Sequence, residues 1–429
     1  MLYPIVRPIA ALGERAFFRK IYLSNTDRIP KDAAVILAAN HPTAFLEPCI
    51  LACYLDRPLY FLVRGDFFKV KLFSALLKDL HMLPIYRMKD GGYEKVKENH
   101  TTLDACYRAL SEHKTIMILA EGRCIHEKRL RPLQKGAARI ALGTLEQYPH
   151  VGEVYVVPVG VNFTYADQPR SEVMIDFGHP LLASEYLSKY KENANLCLQQ
   201  FTDDLRNKLE ERIVIIDNPA DDTLAEQLLQ MHRTDYADPL FPAISDSSGP
   251  LQREILVTRQ LNELADATKE TLKNKSDQYF QMLHQYGITD RVFAGTRENT
   301  WLNTLALILG FIPFLIGYIW NYPPQWIGDY IARTRIKSVE FKMPVKWAVQ
   351  TGAYLFYVIG WIVMALVYKA WWLLAAIPLL LVLGYYAIYF VEFMQAVFLS
   401  GKAAQIPKAI REELHLQRQE ILSLFESGV

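Results

Sequence analysis

The sequence predicts an α/β domain with a mixed, largely parallel sheet flanked by helices, followed by a helical extension and C-terminal membrane helices. Three observations carry this reading. From residue 33 to about 180, short β-rich runs alternate with amphipathic stretches, the pattern of strands joined by crossover helices. Residues 190–290 lose the strands and become charged and helical. The excess apolar residues then gather in three long blocks near the C-terminus.

Taken in order, Leu2, Ile5, Val6, Ile9, Ala16, Phe17 and Ile21 recur at helical spacing, with Arg7, Arg15, Arg19 and Lys20 among them. They predict a basic amphipathic helix within 1–30, lying on a membrane surface or docked on the domain. Pro4, Arg7 and Pro8 interrupt any apolar run long enough for a secretory signal, so none is expected there. The strand candidates are AAVILAA, PLYFLV, MLPIY, TIMIL, VYVVPVGVNF and EVMIDF, all inside a domain expected over 31–215. A helical extension is expected over 216–299, with a polar break at Ser245 to Pro250, and a tail helix over 399–429.

Within 300–398 the apolar blocks are 302–319, 347–368 and 370–391. The last two are each long enough to cross a bilayer and are separated by Lys369, which reads as a helical hairpin. Tryptophans at 301, 320, 347, 371 and 372 mark the block ends, as in an interfacial aromatic belt. The linker 321–346 holds Arg333, Arg335, Lys337, Lys342 and Lys346 against Asp329 and Glu340, and so belongs on the cytoplasmic side. A spanning first block would carry that linker away from a cytoplasmic domain, and Pro313 interrupts it. Block 302–319 is therefore expected to be re-entrant or interfacial.

Hydrophobic residues make up 51% of the 429, which points to a membrane setting, while a net charge of +1 argues against nucleic acid as a partner. Five cysteines without metal-type pair spacing predict free thiols in a reducing compartment. No cofactor and no metal site are expected, and the oligomeric state is left open.

Two segments carry the chemistry. In AANHPTAFLEP, His41 follows a predicted strand, Pro42 suits the first turn of a helix, and Glu47 lies one to two turns further on. An imidazole beside a carboxylate is the core of a general base with its orienting acid. In ILAEGRCIHEKRLRPLQKGAARIAL the chain turns at Gly122 and places Arg123, Lys128, Arg129, Arg131 and Lys135 ahead of a helix starting near Gly136. Guanidinium forks beside helix N–H groups suit a phosphate, and Arg87 after MLPIY adds another fork.

NHPTAFLEP, LPIYR, AEGRC with RPLQKGAAR, and VPVGVNF stand in the order of the four motif blocks of the glycerolipid acyltransferases. Over residues 1–215 the chain resembles the 1-acylglycerol-3-phosphate and glycerol-3-phosphate O-acyltransferase superfamily. The resemblance implies His41 as general base, Glu47 as its orienting acid, and Arg87, Arg123 and Lys135 as holders of the acceptor's phosphate. Asn40, Glu121, Gly122 and Pro158 would support the motifs. It also implies an acyl thioester donor, acyl-CoA or acyl carrier protein, with membrane lipids around the site. The acceptor would be a lysophospholipid, giving phosphatidic acid, or glycerol 3-phosphate. Two departures stand out: the acid is Glu with five residues intervening where the family has Asp after four, and Arg123 follows Gly122 directly. Thioester hydrolysis by the same histidine, or a decayed lipid-binding scaffold, are the competing readings.

Overall fold

A computed structural model describes residues 2–86, 99–295 and 300–427. The chain divides into two compact units. The first comprises Met1–Val214, Leu240–Leu251 and Ala332–Trp347, and the second the rest.

In the first unit, helix α1 (Tyr3–Phe17) leads into strand β1 (Lys20–Ser24). There follow β2 (Ala34–Ala39), α2 (Leu46–Tyr54), β3 (Leu59–Arg64), α3 (Lys71–Asp79), β4 (Met82–Ile85), α4 (Asn99–Ser111) and β5 (Thr115–Leu119). Then come α5 (Gly136–Gln147), β6 (Val154–Phe163), β7 (Glu172–Phe177), β8 (Leu181–Leu182), α6 (Leu187–Glu192) and α7 (Ala194–Glu210). After an excursion into the second unit the chain returns with β9 (Ile244–Ser245). Among the described residues the sheet runs β4-β3-β5-β2-β6-β7-β1-β9, with β8 beside β6. It is parallel except where β6 meets β7 and β8, so the mixed, largely parallel sheet is as the sequence indicates.

β2 lies mid-sheet, between β5 and β6, and all six of its residues are buried. This is why Ala33 to Ala39 reads as a continuous apolar run without alternation. The six predicted strands form close to their expected bounds. Three strands were not foreseen: β1, whose Ile21 had been counted with the N-terminal helix, and the two-residue strands β8 and β9. Parallel pairing on β7 and β9 claims Lys20 to Ser24, so the helix ends at Phe17 instead of continuing toward residue 30. Inside the unit α1 docks on α2. Arg7 donates to the Cys53 and Leu55 carbonyls at 3.1 and 2.6 Å, while Ile5, Val6 and Leu12 face outward.

The second unit includes α8 (Asp222–Asp235), most of α9 (Gly249–Glu263), α10 (Asp266–Gln285) and α11 (Asp290–Ala294). It also includes most of α12 (Thr300–Arg335) and α13 (Val339–Val367), and all of α14 (Trp372–Ala404) and α15 (Lys408–Ser427). Helices α12, α13 and α14 are each long and apolar enough to cross a membrane. The first apolar block does not turn back on itself: it belongs to one unbroken helix of 36 residues that runs through Pro313, Pro323 and Pro324. That corrects the re-entrant half of the expectation, because neighbouring helices can satisfy the carbonyls that proline leaves without a donor, while an interfacial course for the helix is not touched by it. The expected linker 321–346 shrinks in the same way to residues 336–338 between α12 and α13. Asn321, buried in α12, donates to the Leu380 carbonyl of α14 at 3.1 Å, a polar tie between apolar helices.

Candidate active site

The site lies at the C-terminal ends of the central strands, where open α/β sheets place their chemistry. The register Ala39↔Leu119 brings the residues after β2 and β5 side by side, and the Ala120 N–H donates to the Ala39 carbonyl at 2.8 Å. On the other flank Ala38 stands opposite Pro158 of β6. Asn40 clasps the next residues of that strand, donating to the Val161 carbonyl at 2.9 Å and accepting its N–H at 2.7 Å. These bonds extend the pairing by one residue and fix where the chain leaves the sheet.

His41 is the next residue and is buried. Its N–H donates to Glu121 Oε1 at 2.7 Å, and its carbonyl accepts the Ile125 N–H at 3.3 Å. The histidine backbone is thus fastened to the loop after β5 at two points. Burial pushes the Glu121 carboxyl above its ordinary range, opposed by the N–H bonds from His41 and Arg131.

Between His41 and Glu47 the expected helix start at Pro42 is replaced by irregular chain, and α2 begins only at Leu46. Thr43 explains this. Its Oγ1 accepts the Leu46 N–H at 3.2 Å, while Glu47 Oε1 accepts the Thr43 N–H at 2.6 Å and Oε2 the Thr43 hydroxyl at 2.9 Å. This is a reciprocal capping box widened by one residue, and it turns the Glu47 carboxylate back toward the loop. Glu47 Oε1 lies 3.8 Å from His41 Nδ1, an ion-pair separation rather than a hydrogen bond. The carboxylate is fully buried, and among the described residues His41 Nδ1 has no hydrogen-bond partner. Catalytic bonds of this kind are often long before substrate arrives and shorten in the loaded site.

Gly122 turns the next loop at φ +70, and a Cβ there would meet the Gln134 side chain at 3.0 Å. The basic block beyond it is divided. Arg129 and Arg131 pair with Glu127 at 3.7 and 3.0 Å, and Lys128 reaches the Thr164 carbonyl at 3.3 Å. Arg206 of α7 pins the loop through the Leu130 and Arg131 carbonyls. Arg123 is exposed and Lys135 half-buried just before α5, and among the described residues neither head group has an ion pair or hydrogen bond. Arg87, the third expected phosphate ligand, lies outside the described residues.

The structure therefore brings His41, Glu47, Asn40, Glu121 and Pro158 around two strand ends, with Arg123 and Lys135 on the loop that Glu121 and Gly122 begin. Sequence reasoning passed over Thr43, whose signal was a threonine four residues ahead of a glutamate, one residue wider than the usual capping spacing. It also passed over Arg206, which no local pattern connects to a loop some 75 residues away.

Residues 20–162 match the family model described as Acyltransferase. The chain is similar, at 22% identity over 56% of its length, to glycerol-3-phosphate O-acyltransferase 1 of Saccharomyces cerevisiae. It is similar at 34% identity over 20% of its length to an uncharacterized acyltransferase of Schizosaccharomyces pombe. The matches span 32% and 12% of those relatives' own lengths. Among solved structures it is similar to the 1-acyl-sn-glycerophosphate (LPA) acyltransferase PlsC of Thermotoga maritima, at 18% identity over 47% of this chain and 80% of that one, with a TM-score of 0.32.

Proposed function

Because the chain belongs to the glycerolipid acyltransferase superfamily through its acyltransferase domain, we propose that it moves a fatty acyl chain from an acyl thioester to a hydroxyl of a phosphorylated glycerol acceptor at a membrane. The observation that carries this is the buried His41 imidazole facing the Glu47 carboxylate at 3.8 Å, beside a loop on which Arg123 and Lys135 have no ion pair or hydrogen bond among the described residues.

His41 takes the proton from the acceptor hydroxyl as its oxygen attacks the thioester carbonyl. The carbon–sulfur bond breaks, and the thiolate leaves with the proton that His41 carries. Glu47, held by Thr43, steadies the imidazolium and sets the ring tautomer. Arg123 and Lys135 hold the phosphate and so present the hydroxyl, a gain in proximity rather than in bond chemistry. A cytoplasmic face for the domain is favoured by the basic residues Arg333, Arg335, Lys337, Lys342 and Lys346, with α12 lying at the interface as the sequence suggests. The donor is acyl-CoA or acyl carrier protein.

The acceptor we favour is 1-acylglycerol 3-phosphate, giving phosphatidic acid. Glycerol 3-phosphate is a second reading, supported by the similarity to a yeast protein of that name. Membranes holding the protein, supplied with labelled acyl-CoA and each acceptor separately, distinguish them: labelled phosphatidic acid from the lysolipid is the expected result. Label entering only lysophosphatidic acid, from glycerol 3-phosphate, establishes the second reading. Free fatty acid alone, with either acceptor, excludes both.

A further inference from the structure

The segment joining α12 to α13 is part of the same compact unit as the catalytic loop, since residues 332–347 belong with the sheet. Its contact with the site is specific. The Ala44 N–H, three residues after His41, donates to the Glu340 carbonyl at 3.2 Å. Glu340 stands in the first turn of α13, where its carbonyl would ordinarily accept the N–H four residues on. That residue is Pro344, which has no N–H and whose ring crowds the carbonyl at i−4. The proline thus leaves the Glu340 carbonyl free for Ala44.

The Glu340 side chain adds an electrostatic link to the basic loop. Its carboxylate accepts from the Ser338 hydroxyl and interacts electrostatically with His126 and Arg131 of the basic loop. That loop already holds His41 through the Ile125 N–H. One residue therefore engages the histidine loop through its carbonyl, by a hydrogen bond, and the basic loop through the charge of its carboxylate.

We propose that residues 338–344 are a positioning strap for the catalytic loop, with Glu340 as the positioning residue and Pro344 as the feature that frees its carbonyl. The kinetic consequence rests on the acyltransferase reading above, whereas the structural claim does not.

The test uses the full chain in detergent micelles, with hydrogen–deuterium exchange and steady-state acyl transfer measured together. Pro344→Ala restores a helical donor that competes with Ala44 for the carbonyl. Uptake in the peptide covering residues 43–46 should rise at least threefold, uptake in β2 should stay unchanged, and kcat should fall three- to tenfold with the acceptor KM held within twofold. Glu340→Lys, which sets like charges against His126 and Arg131, should give the same signature with a larger loss, and it serves if the proline variant assembles poorly. Unchanged uptake at 43–46 in both variants overturns the strap, as does a rise shared equally by β2. Because exchange needs no turnover, a wild-type chain inactive with every acceptor would count against the proposed function while exchange still decides the strap.

Discussion

At the residue scale the central object is a carboxylate kept in place by a threonine. Glu47 makes two hydrogen bonds to Thr43 and only an ion-pair approach to His41, so its orientation depends on the cap more than on the histidine. Thr43→Val keeps the shape but removes the hydroxyl, and should lower kcat about tenfold, near 1.4 kcal/mol of transition-state stabilisation. Thr43→Ser should restore most of it. Steady-state kinetics on the pair check this, and equal losses in both would point to packing instead. A second residue-scale consequence concerns Glu14, fully buried in α1 beside Cys53, whose carboxyl burial raises from 4.5 to about 8. The sign follows from linkage: a raised acid is favoured neutral in the fold, so stability is full below pH 4.5 and is lost progressively as pH rises to about 8. Glu14→Gln should therefore raise the melting temperature at pH 8 and leave it little changed at pH 4.5, on the order of 3 kcal/mol being recovered near neutrality. Parallel melting curves of the two proteins across that range would contradict it.

At the scale of elements, the strands and the site differ in how readable they were. Runs such as AVILAA and VYVVPVGVNF announce buried strands because both faces of a central strand are covered. β1 was hidden because KIYLS continues the apolar spacing of the helix before it, and only its pairing with β7 and β9 decides against helix. His41, Asn40 and Glu121 were legible from their motif blocks. The start of α2 was not, because Pro42 suggested a helix that Thr43 in fact caps later. The strap was invisible for another reason: its partner is some 300 residues away, and no local pattern records such a bond. Among the helices, Arg418 of α15 is buried against Asp290 and Asp235, each at 2.8 Å, with Tyr279 also donating to Asp290. Removing one member of a buried pair costs about 3–5 kcal/mol. Asp290→Ala should accordingly free α15, seen as faster tryptic release of the C-terminal peptide, while the first unit keeps its protease resistance. An unchanged cleavage pattern would mean the tail is held by its apolar face alone.

At the scale of the whole molecule, a soluble-type α/β sheet and a set of apolar helices occur in one chain, and the proposed chemistry would account for the pairing. The lysolipid acceptor and product of that proposal would both reside in the bilayer, and a site tethered there would gain access to them. The three long apolar helices should keep the protein in the pellet after alkaline carbonate washing, whereas release into the supernatant would reduce them to peripheral attachment. The claim on which the rest depends is that His41 is the base for acyl transfer. Its most direct test is His41→Ala in the full-length protein, purified at wild-type yield and assayed with labelled acyl-CoA and 1-acylglycerol 3-phosphate or glycerol 3-phosphate. The account predicts that product formation falls at least a thousandfold with both acceptors while membrane association is unchanged. A variant that still forms labelled phosphatidic or lysophosphatidic acid within tenfold of wild type would contradict it.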